Sequence, residues 1–344
     1  MKNKNIFKIN IIYFIAITCV AIIFLLGYLG ILQNEILTSV LIQIVVMLAM
    51  PMLLYSLICR RNFKQTLNDA GIKKISGKIL LISIALGFVL YFINTFVANA
   101  FASVIAAFGF ESLSSQASTK ITYGLLLKDL VLSCILPGIC EEFLHRGIML
   151  HAGKKHVNTN YCLIISSILF GLMHLNIRQF FYAAILGFLM GYVTLVADSI
   201  IPSIIIHFMN NFLSNYMFYG THLNWPFARF INAIESYFMG NMFMFVSGSV
   251  VAVFGLIVLY NYLTKLILKE RTKRDIKAIT KELKLNNLTL IQAQIKINQV
   301  NEILKTKSIA KNNNKCNYVD KIFLISSIVL GTLITISSFI WGVI

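Results

Sequence analysis

Charge is what this sequence has least of. Only 12% of its 344 residues are Asp, Glu, Lys or Arg, against about 25% in a soluble domain. With 58% hydrophobic residues and a mean hydropathy of +0.79, that shortage excludes a soluble globular chain. It leaves an all-α, polytopic membrane protein. Cysteine is also sparse. Six are present, at 19, 59, 134, 140, 162 and 316, with no CxxC spacing, so neither a disulfide framework nor a zinc finger is expected. There is no His-Glu-x-x-His run, no nucleotide loop and no internal repeat. The N-terminal Lys2, Lys4 and Lys8 precede an apolar run of signal-peptide type. That run lacks a small-x-small cleavage site and is long enough to span, so it reads as a first transmembrane helix.

Acidic residues are the scarcer sign, 13 against 30 basic, giving a net charge of +17. In a soluble protein this would suggest a nucleic-acid partner. Here the positive-inside rule accounts for it, and no nucleic acid is expected. Nine apolar segments read as spans: 11–32, 36–59, 79–110, 122–153, 158–175, 180–197, 200–219, 241–264 and 322–343. The stretches 1–10, 60–78, 154–157 and 265–321 hold 3, 6, 2 and 14 of the 30 Lys and Arg. This predicts a multi-pass plasma-membrane protein with its N-terminus in the cytoplasm and its C-terminus outside. Lys- and Asn-rich stretches point to an AT-rich, bacterial genome.

The stretch 220–240 is aromatic and weakly charged, and reads as an outer interfacial segment or a simple loop. Residues 265–321 change character. Apolar or small residues recur at 276, 279, 283, 290, 293, 297, 300 and 304, with Asn286 filling the gap. Both a coiled coil, which would allow self-association through 276–304, and a basic amphipathic helix on the anionic inner leaflet satisfy this pattern. The expected organisation is therefore N-terminal spans at 1–116 and a core at 117–220. An interfacial segment and a span at 221–264 follow, then a cytoplasmic basic helix at 265–321 and a last span at 322–344.

Against this background the run Pro137-Gly-Ile-Cys-Glu-Glu-Phe-Leu-His-Arg-Gly147 stands out. A charge near the bilayer centre costs at least about 2.5 kcal/mol, and Glu141, Glu142 and Arg146 fall within six residues. Glu142 and Arg146, four apart, can pair. Glu141 points about 100° away and is left for other work. Two further spans carry polar groups, His174 in the fifth and His207 with Asn211, four apart, in the seventh. At 1.5 Å per residue, Glu142, His174, His207 and Asn211 lie about 17, 24, 10 and 17 Å from the inner helix ends, close enough to meet.

Together a carboxylate and a histidine can deprotonate and orient water, while a histidine and an asparagine can stabilise an oxyanion. That is a parts list for amide hydrolysis. Zinc held by Glu141, His174 and His207 is the alternative. The bland readings are a packing histidine, interhelical hydrogen bonds and a structural ion pair. Intramembrane acids can also mark a proton pathway. Cys140 has no activating neighbour in sequence, Asn210 sits off the His207 face, and His151 and His156 read as ordinary interface residues.

Glu141-Glu142-x-x-x-Arg146, Phe170-x-x-x-His174 and His207-x-x-x-Asn211, in this order and each in its own span, resemble the three motifs of the CPBP family. These are the CAAX protease and bacteriocin-processing (Abi) proteins, related to the type II CAAX prenyl endopeptidases. The resemblance covers roughly 120–218, and so makes 117–220 a CPBP-like catalytic core. It implies an intramembrane endopeptidase acting on a peptide or protein substrate in the lipid bilayer. In it Glu141 is the base and His174 its assistant, His207 and Asn211 hold the oxyanion, and Glu142 and Arg146 shape the site. The family is described both as metalloproteases and as metal-free glutamate proteases. His145 departs from the pattern, where relatives more often carry an aromatic or aliphatic residue. CAAX-type, bacteriocin and other peptide substrates all remain open. The competing functions are a non-catalytic bacteriocin-immunity or scaffold protein and a proton-coupled transporter. Apart from Pro51, Pro137 and Pro202, little suggests the broken helices of transporters.

Overall fold

The computed structural model describes residues 4–110, 121–239, 242–285 and 318–343. Within them every regular element is helical. The helices are α1 (Lys4–Tyr28), α2 (Glu35–Ile58), α3 (Phe63–Asp69), α4 (Gly77–Ala107), α5 (Tyr123–Lys155) and α6 (Thr159–Met173). There follow α7 (Ile177–Ala197), α8 (Ile201–His222), α9 (Pro226–Met239), α10 (Met242–Leu285) and α11 (Tyr318–Val343).

Helix starts carry local signals. Asn62 and Gln65 form a capping box on α3. Ser76, Thr122, Asn158 and Asn176 accept first-turn N–H groups of α4, α5, α6 and α7, as N-cap side chains do. Pro202 opens α8, where a missing N–H costs nothing.

Seven described helices are long and apolar enough to cross a membrane: α1, α2, α4, α5, α7, α10 over Val250–Ala278, and α11. The chain is thus a polytopic helical membrane protein. Two of the nine expected spans differ. α6 has 15 residues, a rise of about 22 Å against a hydrocarbon core of about 30 Å. α8 has 22 residues, but His207, Asn210, Asn211, Ser214 and Asn215 dilute it. The aromatic stretch after 220 is the helix α9. α10 runs unbroken through the boundary expected at 264–265. Most of the 276–304 seam lies outside the described residues.

The bundle holds two main apolar clusters. One joins α1 and α2 to the later part of α5 and to α6. The other joins α4, α7 and α10 with Phe170 and Ile206. α6 lies along α7, α8 along α4, α11 along α1, and α2 against α5. Two helices depart from regular winding. Wide π-type turns occupy Leu41–Ala49 in α2, and Leu130–Ile135 and Phe143–Ala152 in α5. The short α-helical piece Leu136–Glu142 sits between the last two.

A charged clamp closes the bundle where α7 turns into α8. Asp198, left-handed at φ 49°, meets His151, Lys154 and Lys73. Burial alone would raise its carboxyl, but the hydrogen bond from His151 and the two lysines hold it well below the usual carboxylate range. His151 is therefore not an interface residue as expected. It is buried, bridging the Asp69 carbonyl at 2.9 Å and Asp198 at 3.0 Å. The sequence places it at a helix end, where exposure is the default, and only the packing of α3 and the 198 turn covers it. Arg271 of α10 donates to the Leu195 and Val196 carbonyls, satisfying the end of α7.

α4 and α8 approach closely because Gly87 has no side chain. A Cβ there would lie 2.4 Å from the Met209 Cβ, an atom fixed to the backbone. Gly87→Ala is expected to destabilise the bundle by about 1–3 kcal/mol through overpacking. Thermal unfolding in detergent checks this against Gly77→Ala, where nothing lies within 4 Å and no loss is expected.

Candidate active site

The two adjacent glutamates of α5 diverge. Glu142 is fully buried. Its Oε1 lies 3.0 Å from the Arg146 guanidinium, one turn along, and accepts at 3.0 Å from Nδ1 of His207 on α8. A buried carboxylate is tolerable only when paired and hydrogen-bonded, and Glu142 has both. Arg146 also donates to the Gly187 carbonyl of α7 at 3.3 Å and stacks 4.2 Å above the Phe170 ring of α6, an arrangement favoured by the ring's negative face. Phe170 in turn meets His145, His174 and His207 edge-on, at centroid distances of 5.0, 5.2 and 5.6 Å.

Glu141 turns the other way and lines a cavity of about 540 Å³ with His174, His207 and Asn211. His174 caps the C-terminal end of the short α6. Its ring nitrogen Nδ1 lies 2.9 Å from the Phe170 carbonyl. A carbonyl only accepts, so Nδ1 carries the proton and a neutral ring leaves Nε2 as an acceptor. His207 gives Nδ1–H to Glu142, so its Nε2 donates only if the ring is imidazolium.

Asn211 donates to the Ser133 carbonyl at 2.9 Å. Asn210, expected to stand aside, lines the cavity. It is buried, accepts from Asn94 at 3.2 Å and donates to the Asn211 amide oxygen at 3.1 Å. Its position off the His207 face is what points it at α4, a neighbour that helix spacing alone does not reveal. Asn94, Asn99, Gln179, Asn210, Asn211 and Asn215 give the cavity an amide-rich wall. A second pocket of about 260 Å³, apolar and walled by Leu126, Leu130, Phe212, Tyr216 and Trp225, adjoins it through Asn215.

Gln43 of α2 was also missed by motif reading. It donates to Glu141 Oε1 at 2.8 Å. Its signal was present as a lone carboxamide in an apolar span. His145, the departure from the family pattern, faces away from the cavity. Its Nδ1 lies 2.8 Å from the Glu141 carbonyl oxygen, and its ring packs against Tyr13 at 5.6 Å.

The zinc alternative finds no preassembled donor set. Among the described residues no three His, Cys, Asp or Glu side chains are disposed to hold a metal ion. Gln43 engages Glu141 Oε1 and Glu142 engages His207 Nδ1, so Glu141 Oε2 and the Nε2 atoms of His174 and His207 are the atoms zinc would use.

Removing Arg146 would strand the Glu142 charge in the interior. Arg146→Ala is expected to lower stability by about 3–5 kcal/mol. The Glu142→Gln/Arg146→Met double variant is expected to recover much of that, because no uncompensated charge remains. Chemical or thermal unfolding in detergent measures both.

The chain is 28% identical over 155 residues to "Putative membrane peptidase YdiL" of Bacillus subtilis (strain 168). That alignment takes in 45% of this chain, which spans about 62% of the length of this curated relative. No solved structure matches. The model of the family described as Type II CAAX prenyl endopeptidase Rce1-like matches residues 123–213, the segment that supplies Glu141, Glu142, Arg146, His174, His207 and Asn211. Over that segment the resemblance read from the three motifs holds, and the likeness is to the type II CAAX prenyl endopeptidases.

Proposed function

We propose that the protein is an intramembrane endopeptidase that hydrolyses a peptide bond with a water activated by Glu141. The observation that carries this is the single cavity in which Glu141 of α5, His174 at the end of α6, and His207 and Asn211 of α8 all converge. Glu141 takes a proton from water while His174 Nε2 accepts the water's other hydrogen and orients it. The water oxygen bonds to the scissile carbonyl carbon. The resulting oxyanion receives hydrogen bonds from His207 Nε2–H and the second amide hydrogen of Asn211. As the C–N bond breaks, Glu141 returns its proton to the leaving nitrogen. Glu142 and Arg146 hold His207 in its donating orientation and touch no substrate.

The amide-rich wall suits the main-chain groups of an extended peptide, since each carboxamide carries two N–H donors and the bonds that Asn94, Asn210 and Asn211 donate use one from each. Apart from the site's own Glu141, His174 and His207, the lining is uncharged, which favours a neutral peptide segment. The family likeness makes CAAX-type peptides, bacteriocin precursors and other membrane-delivered peptides the substrates to try. The apolar flank and the seven apolar helices fit delivery from the bilayer.

Purified protein in detergent, offered a quenched fluorescent peptide library, tests the reading. Glu141→Ala is expected to lower kcat/KM by roughly 100- to 10,000-fold and His207→Ala by roughly 100- to 1,000-fold, with cleavage by wild type surviving a zinc chelator. Loss of activity on chelation that zinc restores would replace this mechanism with a metal-dependent one. Equal cleavage by wild type and Glu141→Ala would overturn it.

A further inference from the structure

α2 lies outside the segment that carries the three motifs, yet it reaches the reacting carboxylate. Gln43 sits in the wide-turned stretch Leu41–Ala49, is only 9% exposed, and donates to Glu141 Oε1 at 2.8 Å. A carboxylate only accepts, so the amide must face it with its NH₂ group, which fixes the orientation of Gln43. The Gln43 carbonyl oxygen is then left buried without a hydrogen-bond partner. An unpaired buried acceptor is costly, so this orientation persists because the bond to Glu141 outweighs that cost.

The other polar groups near Glu141 are engaged elsewhere. Tyr13 of α1 donates to the Leu169 carbonyl. Arg146 and His207 serve Glu142, His145 meets a backbone carbonyl, and His174 meets the Phe170 carbonyl. Cys140, the adjacent residue, is buried.

We infer that Gln43 is the positioning residue for Glu141: by holding Oε1 it stops the carboxylate rotating and leaves Oε2 as the oxygen that meets the water. The terminal torsion of a glutamate is otherwise broad. This rests on the reading of Glu141 as the base. It adds that the catalytic unit extends beyond residues 123–213 into the second helix of the chain.

The test compares full-length wild type, Gln43→Leu, the isosteric Gln43→Glu and Glu141→Gln, reconstituted in liposomes. One arm measures cleavage of the quenched peptide library across pH. The other records pH-difference infrared spectra, with the Glu141→Gln variant identifying the Glu141 carboxyl band.

Gln43→Leu is expected to lower kcat roughly 10- to 100-fold, the worth of a hydrogen bond to a charged group, with KM nearly unchanged. Losing the Gln43 donor changes the hydrogen bonding of the Glu141 carboxyl, so its infrared band is expected to shift in frequency from that of wild type. In Gln43→Glu, two adjacent carboxyls share one proton. Activity is then retained on the acid side and falls as pH rises and that proton leaves.

A folded Gln43→Leu with wild-type kcat and an unmoved band would overturn the inference, as would lowered thermal stability with the band unmoved. If wild type cleaves nothing, the proposed activity fails, but the infrared arm still decides whether Gln43 controls Glu141.

Discussion

One carboxylate oxygen ties the centre of this molecule together. Oε1 of Glu142 is shared by Arg146 and His207, 3.0 Å from each, in a side chain with no exposure to solvent. An ionised carboxylate cannot be left unpaired at that depth, so α5 and α8 must present their partners to it at one level. Arg146 extends the constraint to α7 through the Gly187 carbonyl and to α6 through the Phe170 ring. Four helices are thereby held in register around one ion pair, and the Phe170 ring is the apolar surface against which the polar side chains are set.

Backbone irregularity does the rest of the positioning. α6 ends early, so His174 sits at a helix terminus within the bundle and not on a continuous helical face. Its i−4 carbonyl is free to take up Nδ1, and that selects which nitrogen faces the cavity. The segment with both glutamates is bounded by wide turns on either side, and the partner stretch of α2 is wound the same way. Such turns change the angular step between neighbouring residues and are frequent at functional sites. Here they accompany the divergence of two adjacent carboxylates. One is buried to hold His207, and the other opens to the cavity.

The same division separates structural charge from reactive charge. Glu142 and Arg146 neutralise each other and carry no accessible face. Glu141 keeps a route to the cavity, held on its far side by a neutral amide. The surrounding carboxamides of α4 and α8 form a relay from Asn94 through Asn210 to Asn211. This relay fixes the Asn211 amide without adding charge to the cavity.

Much of this was legible in the chain. Hydropathy determined a polytopic helical protein, because a lipid-spanning segment must satisfy its own backbone and be apolar. The cost of charge in lipid singled out Glu141, Glu142 and Arg146, and spacing of four put Glu142 with Arg146 and His207 with Asn211. What the sequence could not carry were relations between helices. That Glu142 is the partner of His207, that Asn210 orders Asn211, that His151 is buried under the 198 turn, and that Gln43 reaches Glu141 from 98 positions away depend on how helices are rotated and paired. Local periodicity fixes which residues share a face. Only packing fixes which faces meet, since that is decided by close approaches such as Gly87 on Met209 and by the need to pair the buried charges.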